Sequence, residues 1–357
     1  MTQILTLSRM AAHGASFDGP DDAEVSVACL LDGHDLDRGS ARALFGRIVE
    51  GSLSEPLMAA AFTALRLKGE SAEELIGAAE ALRSAAEPFE SPDYLFADSC
   101  GTGGDYSGSI NVSTAAGIIA ATSGLPVVKH GNRSFTSKCG SADVLEALGA
   151  RLDMTSTASR RTLDEIGFCF LLAPKYHPGI AHAGPVRRAL KVRTIMNLLG
   201  PCLNPACPKV QLLGVADPNL LRPIAETLRA LAVEKALVVH GSGLDEIALH
   251  GFTQAILLTG GAFEELEITP EQAGLRRLPV ERITGGSAQE NAERLSRLLA
   301  GRGSEADEAI VALNAGALLM TAGKAETLRR GTVMAIDSIR SGRANRLLHD
   351  FVEASRA

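Results

Sequence analysis

A glycine-rich turn at residues 101–105 is the first segment of this chain whose residue types and spacing could do chemistry. The string Gly101-Thr102-Gly103-Gly104-Asp105 follows an apolar run and precedes a helical pattern that starts near Asn111. Glycines let the backbone approach an anion closely, and the free amides at a helix N-terminus hold its negative charge. The string is neither GxGxxG nor a Walker loop. Taken alone, it indicates a phosphorylated ligand about as strongly as it indicates a simple strand-to-helix turn.

A second polar segment, residues 129–137, follows the next predicted strand. The carboxyl ends of neighbouring parallel strands lie at one edge of a sheet, where ligands bind in open α/β folds. The segment combines two cations, three hydroxyls, an amide and an imidazole: Lys129, Arg133, Ser134, Thr136, Ser137, Asn132 and His130. A ligand with two phosphate groups needs this density of donors. The pattern therefore favours a polyanion-binding loop over a solvated surface loop.

Two adjacent carboxylates, Asp245 and Glu246, follow a third apolar strand pattern. Magnesium favours one or two carboxylates, completed by phosphate oxygens and water. Most pairs of this kind lie on exposed surface. The hypothesis of a magnesium site therefore depends on the pair facing the two phosphate loops.

A stretch at residues 174–206 is rich in His, Arg and Pro. The planar guanidinium of Arg187 could hold a substrate carboxylate through two parallel hydrogen bonds. For Arg188 and Arg193 we expect only helix solubility and interdomain pairing.

The elements that position these residues begin with a helical region. Between residues 35 and 87, apolar residues three and four apart predict three helices. Ser71 and Glu74 predict a capping box at the start of the third helix. We therefore predict a helical domain at residues 23–92, with part of 175–205 packing onto it.

From residue 94 the period of the apolar residues changes, and short apolar runs alternate with helical patterns. The order strand, helix, strand predicts parallel crossovers. A late hairpin is predicted at 255–268, followed by two helices at 289–300 and 305–323. The predicted fold class is therefore α/β: a small N-terminal all-helical domain plus a larger α/β domain, residues 93–357, with a mostly parallel central sheet.

Composition restricts the classes of function. The 357 residues carry a net charge of −7, have 4% aromatic residues and contain no Trp. Nucleic-acid-binding proteins usually show a basic surplus, so no nucleic-acid partner is expected. Six cysteines without CxxC pairs predict reduced thiols rather than a zinc site or a disulfide framework. No run reaches transmembrane length, and the uncertain leader at residues 1–22 lacks a secretory pattern, so we predict a cytoplasmic protein without a membrane partner.

Together the motifs resemble anthranilate phosphoribosyltransferases, a family that shares its fold with pyrimidine nucleoside phosphorylases. The resemblance rests on GTGGD, N-x-S-T, KHGNRS-x-x-S-x-x-GSAD, VRR-x-L-x-x-RT-x-x-N-x-LGP-x-x-NP and H-G-x-G-x-DE, in the family's order, and it runs from about residue 30 to the C-terminus. It implies transfer of the phosphoribosyl group of 5-phosphoribosyl 1-pyrophosphate to the amine of anthranilate, in tryptophan biosynthesis. It also implies Mg²⁺ as cofactor and a homodimer formed through the helical domain.

The resemblance implies a role for each matching residue. Binding of phosphoribosyl pyrophosphate is implied for the two loops and their adjoining helix starts: Gly101, Gly104, Asp105, Ser109, Asn111, Val112, Ser113, Thr114, Lys129, His130, Gly131, Asn132, Arg133, Ser134, Phe135, Thr136, Ser137 and Ser141. Anthranilate binding is implied for Asn132 and Arg187, with Gly101 close by and His130 and His177 lining the path. Magnesium would be coordinated by Ser113, Asp245 and Glu246. The residues with implied catalytic roles are Lys129, Asn132 and Arg187.

Two departures from the family pattern concern the substrate loops. Tyr106 stands where the family mostly has Gly, directly after the phosphate loop. A bulky side chain is strained at positive φ, so either Tyr106 is strained or Gly108 takes the turn instead. Gly179 and Ile180 differ from larger residues common in the family, which predicts a looser entry for anthranilate.

Two other functions compete with this interpretation. A nucleoside phosphorylase on the same scaffold has no pyrophosphate–metal complex to hold, so GTGGD and the pair Asp245-Glu246 speak against it. A non-catalytic, nucleic-acid-binding paralogue is disfavoured by the acidic pI of about 5.7 and by the intact substrate motifs.

Overall fold

The structure is a computed structural model that describes residues 22–134 and 138–357. The described chain divides into two compact units. The first comprises the residues from 22 to Glu87 together with Tyr176–Leu203, and the second comprises Pro88–Lys175 and Asn204–Ala357. The predicted leader at residues 1–22 lies outside the described residues, apart from Asp22.

The first unit begins with four helices: α1 (Asp22–Leu31), α2 (Arg38–Val49), α3 (Glu55–Lys68) and α4 (Ala72–Ser84). Sequence periodicity predicted α2 to α4 but not α1. The N-cap Asp37 of α2 accepts a hydrogen bond from the Ser40 amide at 2.7 Å. Ser71 and Glu74 form the predicted capping box at the start of α4, so that prediction is confirmed.

Glu74 does more than cap α4, because its buried carboxylate joins separate parts of the unit. It accepts the Ser71 amide at 2.8 Å, the Leu36 amide at 2.9 Å and the Lys68 ammonium at 2.7 Å. Lys68 also donates to Asp35 at 2.7 Å. A buried carboxylate is tolerated when it is paired and fully hydrogen-bonded, and these contacts satisfy that condition.

The second unit contains one seven-stranded sheet. Its strands are β1 (Ala97–Gly101), β2 (Val127–Gly131), β3 (Phe168–Leu172), β4 (Val210–Gly214), β5 (Lys235–His240), β6 (Thr253–Thr259) and β7 (Ala262–Ile268). Their order is β3-β2-β1-β4-β5-β6-β7. The first five strands in this order are parallel, and the β6–β7 hairpin continues the sheet in antiparallel pairing. The prediction of a mostly parallel sheet with a late hairpin is confirmed.

Eleven further helices complete the described chain: α5 (Val112–Thr122), α6 (Ser141–Ala147), α7 (Ser156–Ile166), α8 (Ala173–Tyr176), α9 (Gly184–Leu190), α10 (Ile195–Leu199), α11 (Leu221–Ala230), α12 (Ala288–Arg297), α13 (Glu305–Thr321), α14 (Leu328–Arg340) and α15 (Arg343–Arg356). Sequence reasoning missed α7, and it predicted two helices after the hairpin where the chain forms four. In α14, Gly331 weakens the helical signal. A Cβ at Gly331 would lie 2.3 Å from the Gly316 carbonyl oxygen, so close helix packing requires glycine there.

Helix α13 forms the centre of the second unit's core. It is buried along nearly its whole length, and it contacts α5, α14, β4 and β5. A helix that is apolar on all sides belongs in a protein interior. This packing holds β4, β5 and α5 together, and the candidate site forms at the ends of the two strands and the start of α5.

Two further findings concern the whole described chain. Within residues 22–134 and 138–357, none of the helices is both long enough and apolar enough to cross a membrane. All six cysteines are reduced thiols, and Cys207 is exposed.

Candidate functional site

The first predicted phosphate loop, residues 101–105, leaves the sheet at the end of β1. The Thr102 amide donates to the Gly214 carbonyl at 2.9 Å, which keeps the loop beside the end of β4. The loop then turns through a run of positive φ values: Gly103 (66°), Gly104 (77°), Tyr106 (56°) and Gly108 (59°). Tyr106 and Gly108 both adopt positive φ, so Gly108 does not relieve Tyr106. The Tyr106 side chain is 80% exposed.

The segment that carries Asp245 lies directly across the ends of β1 and β4. A Cβ at Gly101 would lie 2.2 Å from Asp245 Oδ2, and one at Gly214 would lie 1.6 Å from the Asp245 carbonyl oxygen. The Gly103 amide donates to Asp245 Oδ2 at 2.7 Å. Glycine at both strand ends therefore lets the acidic segment contact the phosphate loop.

The carboxylates of Asp105, Asp245 and Glu246 influence one another electrostatically in this region. Burial, and then the neighbouring Asp105 carboxylate, raises the pKa of Asp245. Burial, and then Asp245, raises the pKa of Glu246 well above its usual range. Within the described residues none of the three forms an ion pair with Lys or Arg, and Asp105 Oδ2 is buried without a hydrogen-bond partner. Like charges held this close favour a cation between or beside them.

The donor set suits magnesium better than a transition metal. Glu246 Oε1 accepts the Ser113 amide at 3.1 Å, which brings the Ser113 end of α5 to the acidic pair. In the described part of the chain, no three His, Cys, Asp or Glu side chains are grouped to hold a metal by themselves. An ion bound here would thus need further oxygen ligands, as Mg²⁺ does when it takes phosphate oxygens and water.

Lys129 is buried in the middle of β2, and its ammonium reaches Ser113 beside the acidic pair. Its Nζ donates to the Ser99 carbonyl at 2.5 Å and to Ser113 Oγ at 3.3 Å. Burial raises the pKa of Glu246, and the positive charge of Lys129 opposes that rise. The structure thus brings together three predicted site residues, Lys129 of β2, Ser113 of α5 and Glu246 of the segment between β5 and β6.

Sequence reasoning assigned no role to Asn204, although it belongs to the NP string. Asn204 Nδ2 donates to Asp98 Oδ2 at 2.9 Å and to the Val128 carbonyl at 2.8 Å. Asp98 is fully buried, and burial raises its pKa while the nearby Lys129 opposes that rise. Asn204 therefore ties together the first halves of β1 and β2, the two strands that lead into the predicted phosphate loops.

Two more residues hold the acidic segment and were also missed. His240 Nδ1 lies 2.9 Å from the Val215 carbonyl, and His240 Nε2 accepts the Gly243 amide at 3.2 Å. Asn314 in α13 accepts the Ile247 amide at 2.9 Å and donates to the Ile247 carbonyl at 3.1 Å. A lone Asn inside the apolar run IVALNAGALLM was the available signal, because a buried amide needs partners.

The second phosphate loop is fastened at both ends by Asp143, which sequence reasoning also missed. Asp143 Oδ2 accepts the Ser134 amide and the Gly140 amide, each at 2.8 Å. Between these two residues, the predicted site residues Phe135, Thr136 and Ser137 lie outside the described residues. In the described part of the loop, the Arg133 guanidinium binds Glu146 at 3.2 and 2.5 Å, while Ser141 Oγ donates to the Asn132 carbonyl at 3.3 Å.

The other predicted phosphoribosyl residues lie on or beside these loops. The side chains of Val112, Thr114 and His130 are buried, so Val112 offers a ligand only its backbone. Ser109 forms an antiparallel bridge with Thr284, and a Cβ at Gly131 would lie 2.3 Å from Ser141 Oγ.

Arg187 and His177 belong to the helical unit. Arg187 lies in α9 and is partly buried, and burial lowers its pKa, whereas Arg188 is exposed. His177 is 2% exposed, and its Nε2 lies 2.8 Å from the Leu203 carbonyl. Their predicted roles toward anthranilate stay predictions.

A helical bundle followed by a parallel-sheet unit is the domain arrangement of one class of transferase. Residues 27–86 match the Glycosyl transferase family, helical bundle domain, and residues 93–345 match the Glycosyl transferase family, a/b domain. The chain belongs to this glycosyl transferase family.

Comparison with individual relatives identifies the particular family. The chain is 54% identical to an anthranilate phosphoribosyltransferase of Sorangium cellulosum over 92% of this chain and 95% of the relative, and 49% identical to one of Aeromonas hydrophila over 89% and 93%. The crystal structure of that enzyme from Thermus thermophilus superposes with a TM-score of 0.88 and 39% identity, covering 93% of this chain and 99% of that one. The Saccharomyces cerevisiae enzyme in complex with PRPP and Mg superposes with a TM-score of 0.80 and 25% identity, covering 99% of this chain and 98% of that one. The chain is a member of the anthranilate phosphoribosyltransferase family.

Proposed function

We propose that the phosphate loops of the second unit carry the transfer of the phosphoribosyl group from 5-phosphoribosyl 1-pyrophosphate to the amine of anthranilate. This is the reaction of the family to which the chain belongs, and it yields N-(5-phosphoribosyl)anthranilate and pyrophosphate. The observation that supports it most directly is the meeting of Gly103, Asp245, Glu246, Ser113 and Lys129 at one edge of the sheet. A nucleoside phosphorylase would have no pyrophosphate–metal complex for such an acidic pair to hold.

Ser113, Asp245 and Glu246 are the proposed magnesium ligands. When bound, the ion would neutralise charge on the pyrophosphate leaving group. The amides of the GTGGD loop and the ammonium of Lys129 would stabilise the same group, since pre-oriented donors favour a developing anion. These residues therefore lower the barrier to leaving-group departure.

The nucleophile needs little activation. Anthranilate's aromatic amine is neutral at pH 7, so its lone pair can attack C1 of the ribose as the bond from C1 to pyrophosphate breaks. The amine proton then passes to solvent. Arg187 is the proposed partner of the anthranilate carboxylate and Asn132 a second anthranilate-binding residue, both acting by orientation. Attack opposite the leaving group inverts the configuration at C1.

Assembly and compartment belong to the same proposal. Leu31 at the end of α1 and Leu67 at the end of α3 are 61% and 82% exposed. We propose that both belong to an apolar patch that a second subunit covers, since a contiguous patch of this kind marks an interaction surface. They support a homodimer formed through the helical unit, and the reduced thiols fit a reducing cytoplasm.

A fluorescence assay tests the proposed activity. The protein should consume anthranilate, seen as loss of its fluorescence, only when both phosphoribosyl pyrophosphate and Mg²⁺ are present. Chelation with EDTA should stop the reaction, and added Mg²⁺ should restore it. Unchanged anthranilate together with phosphate-dependent cleavage of a nucleoside would instead favour a phosphorylase.

A further inference from the structure

Asn111 occupies the N-cap position of α5, yet its side chain does not cap the helix. Asn is among the preferred N-cap residues because its oxygen normally accepts an amide of the first turn. Here Asn111 Oδ1 accepts from Asn291 Nδ2 at 3.1 Å, and Asn111 Nδ2 donates to the Cys139 carbonyl at 3.3 Å. The side-chain amide of Asn111 is therefore bonded to Asn291 and Cys139 and does not cap α5.

Asn291 is a buried residue of α12, 3% exposed and 180 positions away from Asn111 in the chain. Its Oδ1 accepts the Gly286 amide at 2.8 Å. A backbone N–H can only donate and a carbonyl can only accept, so Gly286 at one end and Cys139 at the other determine both amide orientations. The chain of bonds runs in one direction, from Gly286 through Asn291 and Asn111 to Cys139.

The Cys139 thiol also lies beside Asn111. Its Sγ is 3.4 Å from Asn111 Oδ1 and 3.5 Å from the Gly140 carbonyl oxygen, so its one hydrogen can be donated to either acceptor. Burial raises the pKa of the Cys139 thiol, which keeps it protonated at neutral pH. Asn111 Oδ1 thus accepts from Asn291, and one of the two N–H groups on Asn111 Nδ2 is used by the Cys139 carbonyl. The second N–H remains for a ligand.

The surrounding backbone is built around the Asn291 side chain. A Cβ at Gly285 would lie 2.6 Å from Asn291 Oδ1 and 3.0 Å from the Ser109 carbonyl. The Gly285 amide donates to the Gly108 carbonyl at 2.7 Å, and the Ile110 amide donates to the Ile283 carbonyl at 3.0 Å. Segment 283–286 is therefore clamped to the end of the first phosphate loop, immediately before Asn111.

We propose that Asn291 is a positioning residue of the phosphoribosyl site: it orients the Asn111 amide so that an N–H faces a phosphate or ribose oxygen of the bound substrate. The same bonds link the ends of both phosphate loops, because Asn111 closes the first and Cys139 lies near the end of the second. Asn291 itself does not touch the substrate. This inference rests on the proposed role of Asn111 in binding phosphoribosyl pyrophosphate.

Two variants of Asn291 separate the effect of losing the hydrogen bond to Asn111 from the effect of adding a negative charge. Asn291→Asp keeps the volume and the acceptor for Gly286 but removes the donor to Asn111. Asn291→Leu removes the donor without adding charge. Each should weaken binding of phosphoribosyl pyrophosphate with Mg²⁺ by about tenfold or more, measured by calorimetry without anthranilate, because a hydrogen bond to a charged group is lost. The KM for anthranilate should stay within about twofold of the parent value in both variants. Gln289→Glu, on the exposed face of α12, is the control and should leave this KM within the same limit.

A double-mutant cycle decides whether Asn291 acts through Asn111. In an Asn111→Ala background, Asn291→Leu should weaken substrate binding by less than about twofold, since coupled residues are not additive. Additive losses, or an effect of Asn291→Asp without one of Asn291→Leu, would overturn the inference. So would parent-like affinity in both variants, or an equal rise of both KM values with a fall in Tm. A parent protein that does not bind phosphoribosyl pyrophosphate would instead refute the proposed function.

Discussion

Arg187 and Arg188 are adjacent in α9, yet only Arg187 is withdrawn from solvent. Successive helical residues point about 100° apart, so neighbours in sequence have different surroundings. Burial disfavours the charged guanidinium and lowers the pKa of Arg187. A guanidinium withdrawn from water attracts an anion more strongly than an exposed one does, and the anthranilate carboxylate is the anion that we propose.

The first prediction follows from this difference. Arg187→Ala should raise the KM for anthranilate about ten- to a hundredfold, because a charge-assisted contact contributes about 1.5–3 kcal/mol. The KM for phosphoribosyl pyrophosphate should change little, and Arg188→Ala serves as the matched control. Steady-state kinetics with each substrate varied in turn provides the measurement. Weakened use of the phosphoribosyl substrate alone would move the carboxylate contact elsewhere.

A second prediction at this scale concerns the acidic pair. The double variant Asp245→Ala with Glu246→Gln should lose turnover at millimolar Mg²⁺, because both proposed carboxylate ligands are gone. Glu264→Ala with Glu265→Gln is the matched control, since these adjacent carboxylates of β7 are exposed. Calorimetric titration with Mg²⁺ and phosphoribosyl pyrophosphate should show the loss of metal-dependent binding in the first double variant only. Parent-like rates there would remove the metal assignment.

Within single elements, Glu74 links helix formation to packing. Glu74→Ala should lower the free energy of unfolding by about 3–5 kcal/mol, because it takes one carboxylate partner from Lys68 and leaves two backbone amides without their acceptor. Exposed Glu73→Ala in the same first turn is the control for helix propensity. Urea unfolding followed by circular dichroism measures both. Equal losses in the two variants would mean that the buried network adds nothing.

His177 provides a pH test of the 176–203 segment. Burial lowers the pKa of His177 from its ordinary value of 6.5, and its neighbour Arg83 acts in the same direction. At a pH between the lowered pKa and 6.5, His177 is therefore protonated in the unfolded chain but neutral in the folded chain. The stability contribution is complete above pH 6.5 and declines as the pH falls from 6.5 toward the lowered folded value.

Replacement of this histidine should flatten the pH dependence. His177→Leu should show a smaller loss of Tm between about pH 7 and about pH 5 than the parent, even if its Tm at neutral pH is lower because the bond to the Leu203 carbonyl is gone. Differential scanning calorimetry across this range measures the slope. Exposed His182→Leu is the control, and an unchanged slope in His177→Leu would contradict the prediction.

For the whole molecule, the proposed homodimer predicts that one exposed apolar surface pairs with its copy. The exposed leucines of the helical unit favour that unit, and Leu67 is the more exposed of the two. Leu67→Glu should shift the protein from dimer to monomer at micromolar concentration, because a buried unpaired charge opposes association. Leu95→Glu, at a 43% exposed leucine of the second unit, should leave the assembly unchanged. Sedimentation velocity distinguishes the two results, and a parent that sediments as a monomer would end the proposal.

Much of this protein was readable from short stretches of sequence. The change of apolar period near residue 94 predicted a helical region and a parallel sheet, and both are confirmed. The capping box of Ser71 and Glu74 was predicted from four residues and is present. The phosphate-loop strings were likewise found from local spacing, whereas the family reaction was implied by their resemblance to a known family. Such features are local because a turn, a cap or a strand end depends on residues within a few positions.

Other features were decided only by tertiary packing. Asn291 reaches Asn111 across 180 positions, and Asn204 reaches Asp98 across 106. The burial of Lys129 and the need for glycine at Gly331 likewise depend on which elements meet. No local pattern encodes these contacts, because a buried polar group takes its partner from whatever element the fold brings within hydrogen-bonding distance. The sequence thus determined the fold class and the chemistry of the loops, whereas packing between distant elements decided how the side chains of the site are held.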